Sequence, residues 1–221
     1  MKVEFISSMG TDRTVVDSAR VSFNLDSMDD NGHQSLSEKD SKLITYLAKH
    51  NHFTPFTHCV ITFRETVPIF VARQRFKHTI GFTYNEISRR YVDVTPEFYY
   101  PGKWRKRAEN VKQGSSKETI KDHYIVKKLY DNFMKEAQSV YKILLNFDVA
   151  PEQARMILPQ SMYTSYYVTG SLYAYARAYN LRSEETAQTE IRELAKQWNE
   201  HMEKLFPISW KELTNNNNNN K

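Results

Sequence analysis

The sequence predicts an α/β fold dominated by helices, and three observations carry that expectation. Apolar residues recur at helical spacing over most of the second half of the chain. Short stretches rich in β-branched and aromatic residues read as strands instead. The chain has 221 residues, 40% apolar and 13% aromatic, which suits one domain or one subunit of an oligomer.

The elements follow in order. Lys2-Val3-Glu4-Phe5-Ile6 alternates like a short strand. Residues 24–38 are polar and contain Asp29-Asp30-Asn31-Gly32, a turn signal that predicts a loop. Ser37 is placed to cap a helix through Leu43, Ile44 and Leu47. Residues 57–64 read as a strand. Pro68 suits the first turn of a helix running through Ile69, Val71, Gln74 and His78, because its missing N–H has no partner there anyway. Residues 100–120 are basic and broken by Pro101, Gly102 and Gly114, which predicts a mobile loop.

A long amphipathic helix is expected over 123–147. Val126, Leu129, Tyr130, Phe133, Ala137, Val140, Tyr141 and Leu144 share its apolar face. That pattern serves a core within one subunit or a contact with a partner equally well. Pro151 opens a helix holding Arg155, and Met162 to Val168 is strand-like. Ser171 suits the cap of a helix ending near Asn180. Ser183 suits the cap of a last helix with Ala187, Ile191, Leu194, Trp198 and Leu205 inward. The domain is therefore expected over 1–213. The end, 214–221, is Asn-rich and cannot bury enough to pack, so disorder is expected there.

Composition narrows the setting. No apolar run is long enough to cross a bilayer, and the N-terminus lacks the apolar block of a signal peptide. The single cysteine, Cys59, allows no internal disulfide. A cytoplasmic protein without a membrane partner is expected. The net charge of +5 fits phosphate-bearing ligands, whether nucleotides or nucleic acid, and does not choose between them.

The densest chemistry lies between Phe70 and Tyr91. Arg73, Arg75, Lys77 and His78 stand close together. On a helix Arg73 and Lys77 share a face, while Gln74 and His78 share the next. Cations beside an amide suit a ligand whose phosphate needs charge and whose base needs an edge reader. A solvated basic helix face is the plain alternative. Glu86, Ser88, Arg89 and Arg90 then add an acceptor, a hydroxyl and two planar forks. Ser88 has no base placed beside it and suits a phosphate contact better than attack. Cys59 falls inside a strand pattern and reads as a small apolar residue. His50, His52 and His58 lack the cysteine or paired carboxylates that would complete a ligand set, so no metal is expected. Arg155 and Arg182 on their own read as ion pairs at helix ends.

Lys77-His78-Thr79, eight residues and then Ser88, within Asn85, Glu86, Ser88, Arg90 and Tyr91, resembles the signature of the flavin-dependent thymidylate synthases. That signature is Arg-His-Arg, a short spacer and Ser. Lys77 keeps the first charge without the planar fork, and Thr79 drops the second charge. Ala19-Arg20-Val21-Ser22-Phe23, residues 52–58, residues 154–159, residues 169–174 and Asn180-Leu181-Arg182 resemble further family segments in the same order. Ala187-Gln188 and Glu190-Ile191 follow them.

The resemblance implies a helix-rich α/β single domain with a small antiparallel sheet and long helices. It implies an enzyme that makes dTMP from dUMP, with methylenetetrahydrofolate as one-carbon donor and NADPH as reductant through FAD. Arg182 becomes the catalytic cation near N3 and the C4 oxygen of uracil. The residues holding dUMP become Gln74, Arg75, Phe76, Lys77, Glu86, Ile87, Ser88, Arg89, Arg90, Arg155 and Arg182. Thr54, Lys77, His78, Thr79, Glu86, Ser171 and Arg177 fall at flavin-contacting positions, and His52 borders the flavin or folate pocket. Arg75 is the candidate to compensate for the charge missing at Thr79. The resemblance also implies a homotetramer with sites shared between subunits, no enzyme nucleophile and no nucleic-acid partner. Two other readings stay open. One is a homologue that binds dUMP or FAD without turnover. The other is a nucleic-acid-binding protein using Arg73 to Lys77 with Lys103, Arg105, Lys106 and Arg107.

Overall fold

The structure, a computed structural model, describes residues 1–23, 36–109 and 114–215. The expected loop at 24–38 and tail at 214–221 therefore lie largely outside the described residues.

Four strands form one antiparallel sheet: β1 (Lys2–Met9), β2 (Val60–Pro68), β3 (Phe82–Glu86) and β4 (Tyr163–Ser171). Their order is β1-β2-β4-β3. The helices are α1 (Asp12–Arg20), α2 (Glu38–Lys49), α3 (Thr54–Thr57), α4 (Ile69–Arg75), α5 (His123–Asn146), α6 (Pro151–Ala154), α7 (Leu172–Arg182), α8 (Thr189–Leu205) and α9 (Pro207–Asn215). The helix-rich α/β expectation with a small antiparallel sheet holds.

The central strands alternate, as a sheet with one buried face must, apart from Pro68 at the end of β2, which is buried like Val67 before it. Ile61, Phe63, Glu65 and Val67 of β2 point inward, as do Thr164, Tyr166, Val168 and Gly170 of β4. Tyr175 of α7 and Trp198 of α8 are fully buried in the same core cluster. Asp12 ties the two ends of the chain together. Its carboxylate accepts from Ile208 N–H at 2.8 Å and Ser209 N–H at 2.9 Å, which caps α9.

Several boundaries differ from expectation for local reasons. β2 starts at Val60 because Pro55 opens the short helix α3 and Phe56 is buried. The helix after Pro68 stops at Arg75 and does not reach His78. The Tyr84 hydroxyl donates to the carbonyl of His78 at 2.7 Å, and Gly81 turns the chain with φ of +77°. β4 runs on to Ser171, whose hydroxyl accepts from Ala174 N–H and caps α7 as expected. Arg155 lies in a 3-10 turn (Arg155–Ile157) just after α6 rather than within a longer helix. Ser183 does not cap α8. Its N–H closes the end of α7 on the carbonyl of Tyr179, and α8 begins only at Thr189.

Between 100 and 120, the described residues carry hydrogen-bonded pairing in place of an open loop. Arg105 bridges Thr119, Ile120 N–H donates to the carbonyl of Trp104, and Lys106 N–H donates to the carbonyl of Glu118. α5 buries Met134, Ala137 and Tyr141. It leaves Leu129 65% exposed and Phe147, just past its end, 79% exposed, so part of the expected apolar face has no cover among the described residues.

Candidate functional site

A cavity of about 700 Å³ opens between α4, the segment after β3, and β4 with the turn before it. Glu86, Ile87, Ser88, Arg89 and Arg90 line one side, and Arg155 lines another. Ile69, Phe76, Leu158 and Met162 supply an apolar wall. Arg73, one of the clustered cations of the motif, also lines it, although the family resemblance did not assign it to dUMP. The Glu86 carboxylate accepts from the Thr164 hydroxyl at 2.6 Å. Arg89 donates to the carbonyl of Val94. The Arg90 guanidinium lies 5.1 Å over the Tyr91 ring, and its Nε meets the Ser88 hydroxyl at 3.3 Å. Arg155 Nε donates to the carbonyl of Glu152 at 3.3 Å. None of Arg89, Arg90 and Arg155 has a carboxylate partner among the described residues. Guanidinium groups without counter-ions, beside a hydroxyl, are suited to bind an anion such as a phosphate.

A second group forms where the turn after α4 meets the end of α7. Arg182 Nε donates to His78 Nε2 at 2.9 Å, and its Nη2 donates to the carbonyl of Gln74 at 3.4 Å. Burial, then Arg182, Arg75 and Arg177, hold His78 down to about 4, so the imidazole is neutral. Since Nε2 accepts, its proton sits on Nδ1 and is free to donate. Arg182 is itself shifted downward by burial and by Arg75, but a guanidinium stays charged. Gln74, Lys77, His78 and Arg182 do not line the 700 Å³ cavity, whereas Phe76 does. The expected nucleotide contacts thus fall into two groups within one chain.

Arg75 belongs to neither, which corrects its expected role as a compensating ligand contact. It is fully buried, and its Nε pairs with Glu65 at 3.3 Å. Its Nη1 donates to the Tyr84 hydroxyl at 2.7 Å. The guanidinium carbon lies 4.2 Å from the Phe82 ring centre and 4.7 Å from that of Trp198. Trp198 and Tyr166 also donate to Glu65, at 2.8 and 2.6 Å. Burial works against the charge of Arg75, but Glu65 and the tyrosines outweigh it and its pKa is raised. Arg75 is a core residue beneath the site.

The positions expected at the flavin are more open. A cleft of about 490 Å³ is lined by His52, Phe53, Tyr173 and Arg177, with α2 and α7 as walls. The Phe53 and Tyr173 rings stack at 5.3 Å. Thr54, Lys77 and Thr79 are exposed, and Arg177 is exposed beside the cleft. Ser171 is engaged as the α7 cap. Cations, free hydroxyls and an exposed aromatic ring are the groups a flavin dinucleotide requires. His50 and His52 pack on Tyr46, with ring centres 4.4 and 5.9 Å away. Among the described residues no cluster of histidine, cysteine or carboxylates could hold a metal ion, and no helix is long and apolar enough to cross a membrane. Cys59 is buried, and burial, then Asp12, push its thiol up to about 12, as befits an unreactive core residue.

A model of the thymidylate synthase complementing proteins matches residues 4–208. The chain belongs to that family. Among its relatives, the flavin-dependent thymidylate synthase of Thermosipho africanus is 40% identical over 196 residues, covering 87% of this chain and 82% of that protein. The flavin-dependent thymidylate synthase of Thermus thermophilus is 37% identical and covers 94% of this chain and 73% of its own length. In three dimensions the fold is similar to the UMP/dUMP methylase PolB from Streptomyces cacaoi, solved with 5-Br UMP. The TM-score is 0.85 at 28% identity, over 97% of this chain and 94% of that chain. Membership in this family of flavin-dependent enzymes agrees with the motif reading.

Some residues around the site have partners that no local sequence pattern announced. Glu65 is one, although a carboxylate on the inward stripe of β2 already demands a buried cation. Gln188 and Glu190 are others: Gln188 accepts from Gln74 Nε2 at 2.6 Å, and Glu190 pairs with Arg105 at 2.9 Å. The basic strip offered for nucleic acid is depleted by the same contacts. Arg75 is buried, Arg105 is bound to Glu190, and Lys106 lies 3.5 Å from Glu118.

Proposed function

We propose that this chain is a flavin-dependent thymidylate synthase. It methylates dUMP to dTMP with a one-carbon unit from methylenetetrahydrofolate and reducing equivalents from NADPH through FAD. The observation that carries the reading is the cavity joining Glu86 to Arg90 with Arg155, where three arginines lack carboxylate partners among the described residues. They, with Ser88, hold the dUMP phosphate. Arg182 aims at the uracil carbonyl where negative charge builds as C5 becomes nucleophilic, and preorganised donors there lower the barrier. Neutral His78 fixes the Arg182 plane through its Nε2. Thr54, Lys77, Thr79 and Arg177, with His78, hold the flavin, which when bound supplies the redox chemistry. No enzyme nucleophile is required.

The chain works in the cytoplasm as a homotetramer with shared sites. The separation of Gln74, His78 and Arg182 from the arginine-lined cavity supports that arrangement, since two subunits can bring the groups together. The uncovered apolar residues of α5 support it too.

The test is the visible spectrum of the purified protein before and after dUMP, followed by dTMP formation with all three substrates. A flavin band that shifts with dUMP, and product, are expected. A protein that binds dUMP and FAD yet makes no dTMP would be the non-catalytic homologue, which the uncharged Thr79 makes the second reading. A colourless protein indifferent to dUMP would overturn both.

A further inference from the structure

Glu190 lies in the first turn of α8 and is buried. Arg105 Nη2 donates to both of its oxygens at 2.9 Å. A carboxylate in such a pair can only accept hydrogen bonds. Gln188 therefore meets it through Nε2, at 2.9 Å from Oε2. That fixes the Gln188 amide, whose Oε1 must point the other way. Gln74 in turn presents Nε2 to that oxygen, at 2.6 Å. Flipping either amide would set oxygen against oxygen or N–H against N–H. One ionised group thus dictates the direction of two amides.

From this chain we propose that Gln188 and Glu190 are positioning residues that lock the Gln74 amide with its carbonyl oxygen toward the ligand, so that the site selects a pyrimidine with a hydrogen-bond donor on its edge. The proposal rests on the reading that Gln74 and Arg182 face the base of dUMP. Gln74 Oε1 has no partner among the described residues, and neither does Arg182 Nη1. The two residues are neighbours, since Arg182 Nη2 reaches the Gln74 backbone carbonyl at 3.4 Å, and an acceptor from one with a donor from the other matches the N3–H and adjacent carbonyl oxygen of uracil. Cytosine inverts both, with a lone pair at N3 and an amino group at C4. Against it, Gln74 would set a lone pair against a lone pair and Arg182 would set N–H against N–H. Arg105 comes from the paired segment within 100–120, so that segment contributes to base choice without touching the base.

The experiment measures dissociation constants for dUMP and dCMP by calorimetry on the flavin-loaded protein, with the thermal midpoint beside them. Gln188→Leu removes the acceptor for Gln74 while leaving Arg105 on Glu190. Glu190→Gln keeps the shape but lets position 190 donate. The wild type should prefer dUMP. Gln188→Leu and Glu190→Gln should each lose at least about tenfold of that preference, the scale of one unmade hydrogen bond. A purely structural role would weaken both ligands together and leave the ratio alone. If Glu190→Gln fails to fold, Gln188→Leu decides. Full preference in Gln188→Leu would overturn the inference. A wild type that binds no dUMP would instead bring down the nucleotide reading, and this inference with it.

Discussion

Arg75 and Arg155 are both arginines that the family resemblance sends to the nucleotide, yet their surroundings are opposite. Arg75 has no exposed surface, a carboxylate at 3.3 Å and aromatic rings around it. Arg155 lines an open cavity, and its guanidinium hydrogen-bonds among the described residues to the carbonyl of Glu152 alone. A guanidinium paired with a buried carboxylate and sealed from solvent is closed to a ligand, even though its Nη2 has no hydrogen-bond partner among the described residues. One held by a single backbone carbonyl keeps most of its donors. The fold thus uses one residue type to brace the floor of the site and to line its mouth.

Removing the brace should have the largest effect. Arg75→Ala leaves Glu65 charged and buried with only Trp198 and Tyr166 to satisfy it. Breaking a buried pair in this way costs about 3–5 kcal/mol. Urea denaturation should show a loss of that size. Stability within about 1 kcal/mol of wild type, together with lost dUMP binding, would move Arg75 from the floor to the ligand. Next comes Arg182→Ala, with the fold retained and turnover reduced by about 10²–10³, the scale of one preorganised donor. Steady-state dTMP formation at saturating dUMP measures it, and retained turnover would remove Arg182 from the chemistry.

Arg155→Ala mirrors the first prediction. Stability should stay put, while dUMP affinity falls by about 1.5–3 kcal/mol, the value of a charge-assisted hydrogen bond. Calorimetry on the two variants side by side reads the contrast directly. A fall in stability without a change in affinity would erase the distinction between brace and lining.

The contrast between the two arginines was only partly legible in the sequence. Local pattern identified three of the four described strands, β3 being the exception, and the long helices, because side-chain alternation and the helical repeat are written in neighbouring positions of the sequence. The cavity residues Glu86 to Arg90 were legible because they are consecutive. Arg75 was not, because its partner lies on a neighbouring strand and pairing across elements leaves no local pattern. Glu65 on an otherwise apolar stripe was the available hint. α9 was missed for a similar reason: its cap is Asp12, at the other end of the chain. Gln188 and Glu190 were visible as a family segment, but their tie to Gln74 exists only after folding.

His78 lies within reach of Arg75 and Arg182, and both disfavour its proton after burial has done so. The unfolded chain takes up that proton near the ordinary 6.5, while the folded protein does so only near about 4. Between those values the unfolded state binds more protons, so stability rises with pH across the window and falls as acid is added. His78→Gln should flatten that part of the profile. Unfolding midpoints in urea across pH 4 to 7 measure the slope, and an unchanged profile in the variant would assign it to other groups.

The smallest effect should come from Thr79→Arg, which puts a guanidinium where the family signature carries one. Thr79 is exposed and immediately precedes the turn at Gly81. Its backbone carbonyl accepts from Phe82 N–H at 3.3 Å, a bond the substitution leaves intact. Unlike Arg75, a guanidinium here would have no buried carboxylate to meet, so the fold should gain and lose almost nothing. An exposed charge contact contributes at most about 1 kcal/mol, so flavin retention should tighten only a few-fold. Dialysis against decreasing FAD, read by flavin absorbance, resolves a change of that size. A few-fold gain would mean that position 79 reaches the cofactor and that the missing charge had weakened its hold. No gain would mean that the flavin is held by Arg177 and Lys77 without help from this position.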